Sequence, residues 1–241
     1  MSRQNEIDCL EKVKSAFFRS EQAKIEFNNS NASFGSILLS SKCNNDSSKF
    51  PDFFFDGGII EHFQVTASAE SKKGSSFKIK ERINDRQAQE NFKITDDQFR
   101  SSEYMPYTLS VAENRDEYDN FSYDDFLISF KKNFIKHNDS LTKSNYLNQV
   151  VVFMIEQDDS RLGVWQNNHF LHFYHIYEDK EVLSFLKQYS NNVRYVIFIA
   201  VDGIEIIDLN NIENLILKAK DNLDIRSGHS THLKLKLYID I

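Results

Sequence analysis

The sequence predicts an α/β fold with a mixed central β-sheet flanked by helices, and three observations carry that reading. Residues 149–155 and 193–201 are nearly continuous apolar runs rich in Val and Ile, the pattern of strands covered on both faces. Residues 51–66 set two apolar runs around an Asp56-Gly57-Gly58 corner, which suits a β-hairpin because Gly supplies the positive φ of a tight turn at no steric cost. Residues 4–27 and 122–137 each carry an apolar stripe at helical spacing.

Taken in order, Ile7, Leu10, Val13, Phe17 and Ile25 define the first helix. Glu21, four residues after Phe17 and four before Ile25, falls in line with its buried face or at the edge of that face. Turn formers at 28–31 end it, and 33–40, with Phe34, Ile37, Leu38 and Leu39, reads as a first strand. A polar loop at 41–49 leads into the hairpin. Residues 77–107 hold scattered apolar anchors with no sustained period and read as partly helical.

The second helix, 122–137, has its stripe in Tyr123, Phe126, Leu127, Phe130 and Phe134, and opens on a Ser122 cap with Asp125 three residues on. Lys131 lies beside that stripe, while Lys132 and Lys136 read as solvated. Residues 149–155 form a central strand. An aromatic stretch at 165–177, a helix at 179–189, the buried strand 193–201 and a partner strand 204–209 follow. The tail alternates Leu233, Leu235, Leu237 and Ile239 with polar residues, as an edge or exposed-face strand does. We read 1–241 as a single domain, with a core at about 4–157 and an α/β extension at about 158–241.

A chain of 241 residues with 40% hydrophobic and 27% charged residues can bury a sizeable core. No apolar run approaches the roughly 20 residues that span a bilayer, and the polar start lacks a secretory signal, so the expected location is cytoplasmic, with no membrane partner. Cys9 and Cys43 are too few for a disulfide framework and show no metal-binding spacing; they fit a reducing compartment as plain structural residues. The net charge of -7 argues against a general polyanion binder. Residues 71–86 depart from that balance, with Lys72, Lys73, Lys78, Lys80, Arg82 and Arg86 against only Glu81 and Asp85.

Acids gather where the hairpin would present them: Asp52 opens its first strand, Asp56 sits at the turn, and Glu61 lies inside the second strand. Residues two apart share a strand face, so Ile59, Glu61, Phe63 and Val65 point one way and Ile60, His62, Gln64 and Thr66 the other. Glu61 among apolar neighbours is costly to bury unless it is paired, hydrogen-bonded or metal-bound. Ordinary turn acids and a solvated Glu61 are the competing reading.

The element order, with Pro51-Asp52 and Ile60-Glu61-His62-Phe63, resembles the PD-(D/E)xK nuclease superfamily over roughly 4–157. That resemblance implies a restriction-endonuclease-like αβββαβ core, here followed by a C-terminal β-rich extension. It implies Mg2+ or Mn2+ held by Asp52, by Glu61 and by the backbone carbonyl of His62, with Glu21 matching the acid that some members carry on their first helix. The family's lysine falls at position 63, where this chain has Phe63; Lys72, Lys73 or Lys131 would have to supply the amine. Hard Mg2+ favours carboxylate oxygens, and a nearby amine would ease formation of an attacking hydroxide, so the chemistry is consistent with the comparison.

Two functions from different classes follow. One is a metal-dependent DNA nuclease, with Asp52 and Glu61 on the metal, Gln64 or a displaced lysine assisting, 71–86 holding phosphates, and restriction or another defence role implied by the resemblance. The other, motivated by Phe63, is a non-catalytic binding or regulatory protein on the same scaffold. A homodimer is left open. A third reading is a metal enzyme built on His169, His172 and His175, although their spacing alternates their faces.

Overall fold

The computed structural model describes residues 3–19, 24–27, 33–46, 50–67, 122–157, 162–200 and 203–227, all within one compact unit. The hairpin forms as its corner demands, with β3 (Phe53–Phe55) and β4 (Gly58–Val65) joined through Gly57 at φ 88°. Gly58 is required for a different reason: a Cβ there would run into the Val150 carbonyl and the Phe55 ring. Gly58→Ala is therefore expected to destabilise the protein by about 1–3 kcal/mol, read as a lowered denaturation midpoint.

The chain opens with α1 (Arg3–Arg19) and β1 (Lys24–Phe27), then α2 (Ser33–Ser40) and the short β2 (Lys42–Cys43). Beyond the hairpin come α3 (Tyr123–Thr142), β5 (Val150–Gln157), β6 (Leu162–Gln166), β7 (His169–Phe173) and α4 (Lys180–Lys187). The final elements are β8 (Tyr195–Ile199), β9 (Gly203–Asp208), α5 (Ile212–Lys218) and β10 (Asp224–Ser227). A seven-stranded sheet runs β1-β9-β8-β5-β4-β3-β2, and a second sheet runs β10-β6-β7. Strands β2, β3 and β4 are antiparallel, while β5 lies parallel to β4 after the α3 crossover.

Period-2 alternation sorts the central strands between two cores. Val151, Phe153 and Ile155 of β5 join Ile59, Phe63 and Val65 of β4 beneath α3 and α4. Val152 and Met154 face Ile60 and the α1 residues Cys9, Leu10 and Val13. Both faces of β5 and β8 are covered, as their unbroken apolar runs predict. Ser122 caps α3, its Oγ accepting from the Asp125 N–H at 3.0 Å, and Phe126, Phe130 and Phe134 are fully buried.

Two expectations are corrected. Residues 33–40 form a helix rather than a strand, because Phe34, Ile37 and Leu38 recur at the helical spacing of three and four and Phe34 and Leu38 are the fully buried pair. The first helix ends at Arg19 rather than running to 27, since Lys24–Phe27 pairs in parallel with β9. The proposed extension also supplies β8 and β9 to the central sheet, where β8 pairs with the free edge of β5. Residues 77–107 and the alternating tail lie outside the described residues.

Candidate active site

The hairpin register brings Asp52 and Glu61 together. Phe53 pairs with Ile60, so one step outward places Asp52 opposite Glu61 on the same face. The His62 N–H donates to Asp52 Oδ2 at 2.7 Å. A strand residue sends its N–H and C=O to the same side, so the His62 carbonyl leaves β4 toward Asp52.

Glu61 is only 6% exposed, which excludes a solvated face. Its Oε1 is 2.7 Å from Nδ1 of His137 on α3, and its Oε2 is buried with no hydrogen-bond partner among the described residues. Burial pushes Glu61 up to about 7, and the charge of Glu6 on α1 adds to that push against the hydrogen bonding at Asp52. Asp52 rises to about 6, by burial and then by the charge of Glu61, opposed by the His62 N–H. Two carboxylates at this spacing titrate as a pair, and in a dry site they need a proton or a cation between them. Their hard oxygen donors, with the orphaned Oε2 and the adjacent carbonyl, fit Mg2+ or Mn2+.

His137 is the neighbour that completes the group. Phe63, in the position where the resemblance puts a lysine, stacks on its ring with centroids 4.5 Å apart and planes 11° from parallel. Burial lowers its pKa to about 4, the Lys136 charge helps, and the Asp52 charge works the other way. The ring is therefore neutral at pH 7, held by Glu61 at one nitrogen and by Phe63 on one face.

Comparison with protein-family models, curated proteins and solved structures finds no match to this chain.

Other residues singled out in the sequence separate from this pair. Asp56 is exposed at the turn. Gln64 belongs to the opposite face of β4, where its Nε2 donates to Glu156 Oε2 at 2.6 Å, so it does not assist at Asp52 and Glu61. The His62 ring lies on that face too, leaving only its carbonyl toward the acids. Lys131 points its Nζ to Glu181 Oε1 on α4, at 2.7 Å. Glu21, Lys72, Lys73 and the basic stretch 71–86 lie outside the described residues.

The three histidines do not present ligand atoms to one point: the His172 and His175 rings lie 5.7 Å apart, but His172 Nδ1 donates to the Phe173 carbonyl at 2.7 Å and His175 Nδ1 meets the buried Glu205 at 3.2 Å. His137 escapes the sequence reading although it stands three residues after Phe134 and seven after Phe130, in line with the buried stripe. A titratable residue in that register was the available signal.

Proposed function

We propose that the protein is a Mg2+- or Mn2+-dependent phosphodiesterase acting on DNA. The observation that carries this reading is the cross-strand pair of half-buried Asp52 and buried Glu61, with the unsatisfied Glu61 Oε2 between α3 and the sheet and the His62 backbone beside Asp52. The run β2, β3, β4, α3, β5, a meander followed by a helical crossover to a parallel strand, supports it as the βββαβ part of the core that the PD-(D/E)xK resemblance implies, with the two-residue β2 in place of the strand expected at 33–40. A cation bound there would polarise a phosphoryl oxygen and acidify a water.

The chain's own groups have distinct tasks in this reading. Asp52 and Glu61 would hold the cation. With Glu61 ionised, His137 donates its Nδ1–H to Oε1 and keeps a lone pair on Nε2, which can take the proton of an attacking water. Phe63 fixes the ring plane. His137 thus takes the place of the motif lysine as the proton-handling group. The 71–86 segment is the proposed contact to the DNA backbone.

The test is calorimetric titration of Mg2+ and Mn2+ into wild type, Glu61→Gln and His137→Ala, followed by incubation with supercoiled plasmid. Glu61→Gln should lose both metal binding and nicking. His137→Ala should still bind metal but nick about 100-fold more slowly or worse. Unchanged nicking by Glu61→Gln would sink the assignment. Metal binding without cleavage by wild type would favour the non-catalytic scaffold, the reading that Phe63 supports.

A further inference from the structure

The opposite face of β4 holds a second cluster that the nuclease reading does not use. Cys9 of α1, His62 of β4 and Glu156 of β5 bring one thiol sulfur, one imidazole nitrogen and one carboxylate oxygen within 4.8 Å of one another. Alternation alone separates this cluster from Asp52 and Glu61, since His62 and Glu61 are successive residues of one strand. Cys9 and His62 are both at most 4% exposed.

Two features resist explanation as plain core packing. Both ring nitrogens of His62 are buried and lack a hydrogen-bond partner among the described residues. Nδ1 so placed has no polar partner among the described residues and Nε2 has only the Glu156 carboxylate at 3.5 Å, so the imidazole is buried with its hydrogen-bonding capacity largely unmet. The other feature is the distance from His62 Nε2 to Glu156 Oε2, 3.5 Å. That is long for a hydrogen bond, but it suits two ligands on one ion, because nitrogen and oxygen each about 2.0–2.1 Å from a tetrahedral centre lie roughly 3.4 Å apart.

We propose that Cys9, His62 and Glu156 bind one Zn2+ or a similarly borderline-soft divalent ion. Thiolate, imidazole and carboxylate are the donor types such ions select, whereas Mg2+ and Mn2+ favour the all-oxygen site on the other face. The Glu156 oxygen is already oriented, accepting from Gln64 at 2.6 Å and from Asn5 Nδ2 at 3.2 Å, and such outer hydrogen bonds are what position metal-binding carboxylates. The Glu156 side chain is 23% exposed, which gives the ion a path in and leaves a fourth position to water. Binding must displace the Cys9 proton, so one proton is released to solvent for each ion bound.

Without an ion, burial and then the charge of Glu156 push the Cys9 thiol up to about 12. Burial pushes Glu156 up as well, but His62, Gln64 and Cys9 around it outweigh that and bring it down to about 2. The ion would replace the thiol proton as the positive partner of that carboxylate. It would also tie α1 to the two central strands through His62, the residue whose backbone N–H holds Asp52. The inference does not rest on the nuclease assignment.

Co2+ is the probe, because a cobalt-bound thiolate gives a charge-transfer absorption that nitrogen and oxygen ligands do not. Titrating Co2+ into the full chain should give one equivalent with that band. Cys9→Ala and Cys9→Ser should abolish the band, and His62→Gln should weaken binding at least tenfold, with circular dichroism verifying that each variant is folded. Cys43→Ser and Asp52→Asn should leave the band intact. Absence of the band in wild type, its persistence in folded Cys9→Ala, or its loss in Cys43→Ser would overturn the proposal.

Discussion

Asp179→Ala is expected to lower the stability of the protein by about 3–5 kcal/mol, because one substitution removes a helix cap and leaves two tyrosine hydroxyls without their acceptor. Asp179 is 3% exposed and precedes α4, where its Oδ1 accepts from the backbone N–H of Glu181 at 2.9 Å and of Val182 at 3.2 Å. Its Oδ2 accepts from the hydroxyls of Tyr123, at the start of α3, and Tyr174, after β7, both at 2.6 Å. Burial, with Asp179 beside them, raises both phenols well above their ordinary range, so they remain donors at any physiological pH. The carboxylate joins the start of α3 to the segment that runs from the end of β7 into α4. Asp179→Asn keeps the cap acceptor and should cost about half as much. Urea denaturation with an unchanged slope would check both values, and a loss below about 1 kcal/mol for Asp179→Ala would refute this account.

Without divalent metal, the protein should become less stable as the pH rises from about 5 to 8, and Glu61→Gln should remove much of that slope. The sign follows from the direction of the shifts. Glu61 moves from 4.5 up to about 7 and Asp52 from 3.8 up to about 6, so between the unfolded and folded values the native state binds more protons than the unfolded one. Stability then falls as the pH rises through that window. The Glu61 displacement alone corresponds to a cost of the order of 3 kcal/mol above its folded pKa, at about 1.4 kcal/mol per unit.

At pH 8 and without metal, Glu61→Gln should therefore melt above wild type. Because the buried Glu205 is also raised, and His137, lowered from 6.5 to about 4, adds stability as the pH rises through that range, the comparison is between wild type and variant rather than along one profile. Adding Mg2+ or Mn2+ should flatten the wild-type profile and leave the variant's unchanged. A melting temperature of Glu61→Gln that tracks wild type at every pH from 5 to 8 would mean that the two acids are not a strained pair.

The strands were legible wherever burial on both faces left an unbroken apolar run, as in β5 and β8, and the hairpin was legible from its glycine corner. The α3 helix was legible to its cap, because Ser122 and the Phe126, Phe130, Phe134 repeat act locally. Residues 33–40 were misread because Phe34, Ile37, Leu38 and Leu39 satisfy both a short buried strand and a helix. Burial of Phe34 and Leu38 on one face decided between them. At 24–27 the decision belonged to β9, about 180 residues downstream, whose edge pairs with it.

The site divides in the same way. From sequence alone came the hairpin that gathers Asp52 and Glu61, since its glycine corner is local, and the separation of Glu61 from His62 and Gln64, since strand alternation is fixed by the backbone; the two-residue turn at Asp56-Gly57 then sets Asp52 opposite Glu61 and leaves Asp56 exposed. Only tertiary structure decided the neighbours: His137 reaches Glu61 from a helix some 76 residues away, and Cys9 and Glu156 meet at His62 from two other elements. Which helix covers which face of a sheet depends on packing the whole core, and no window of sequence contains that information.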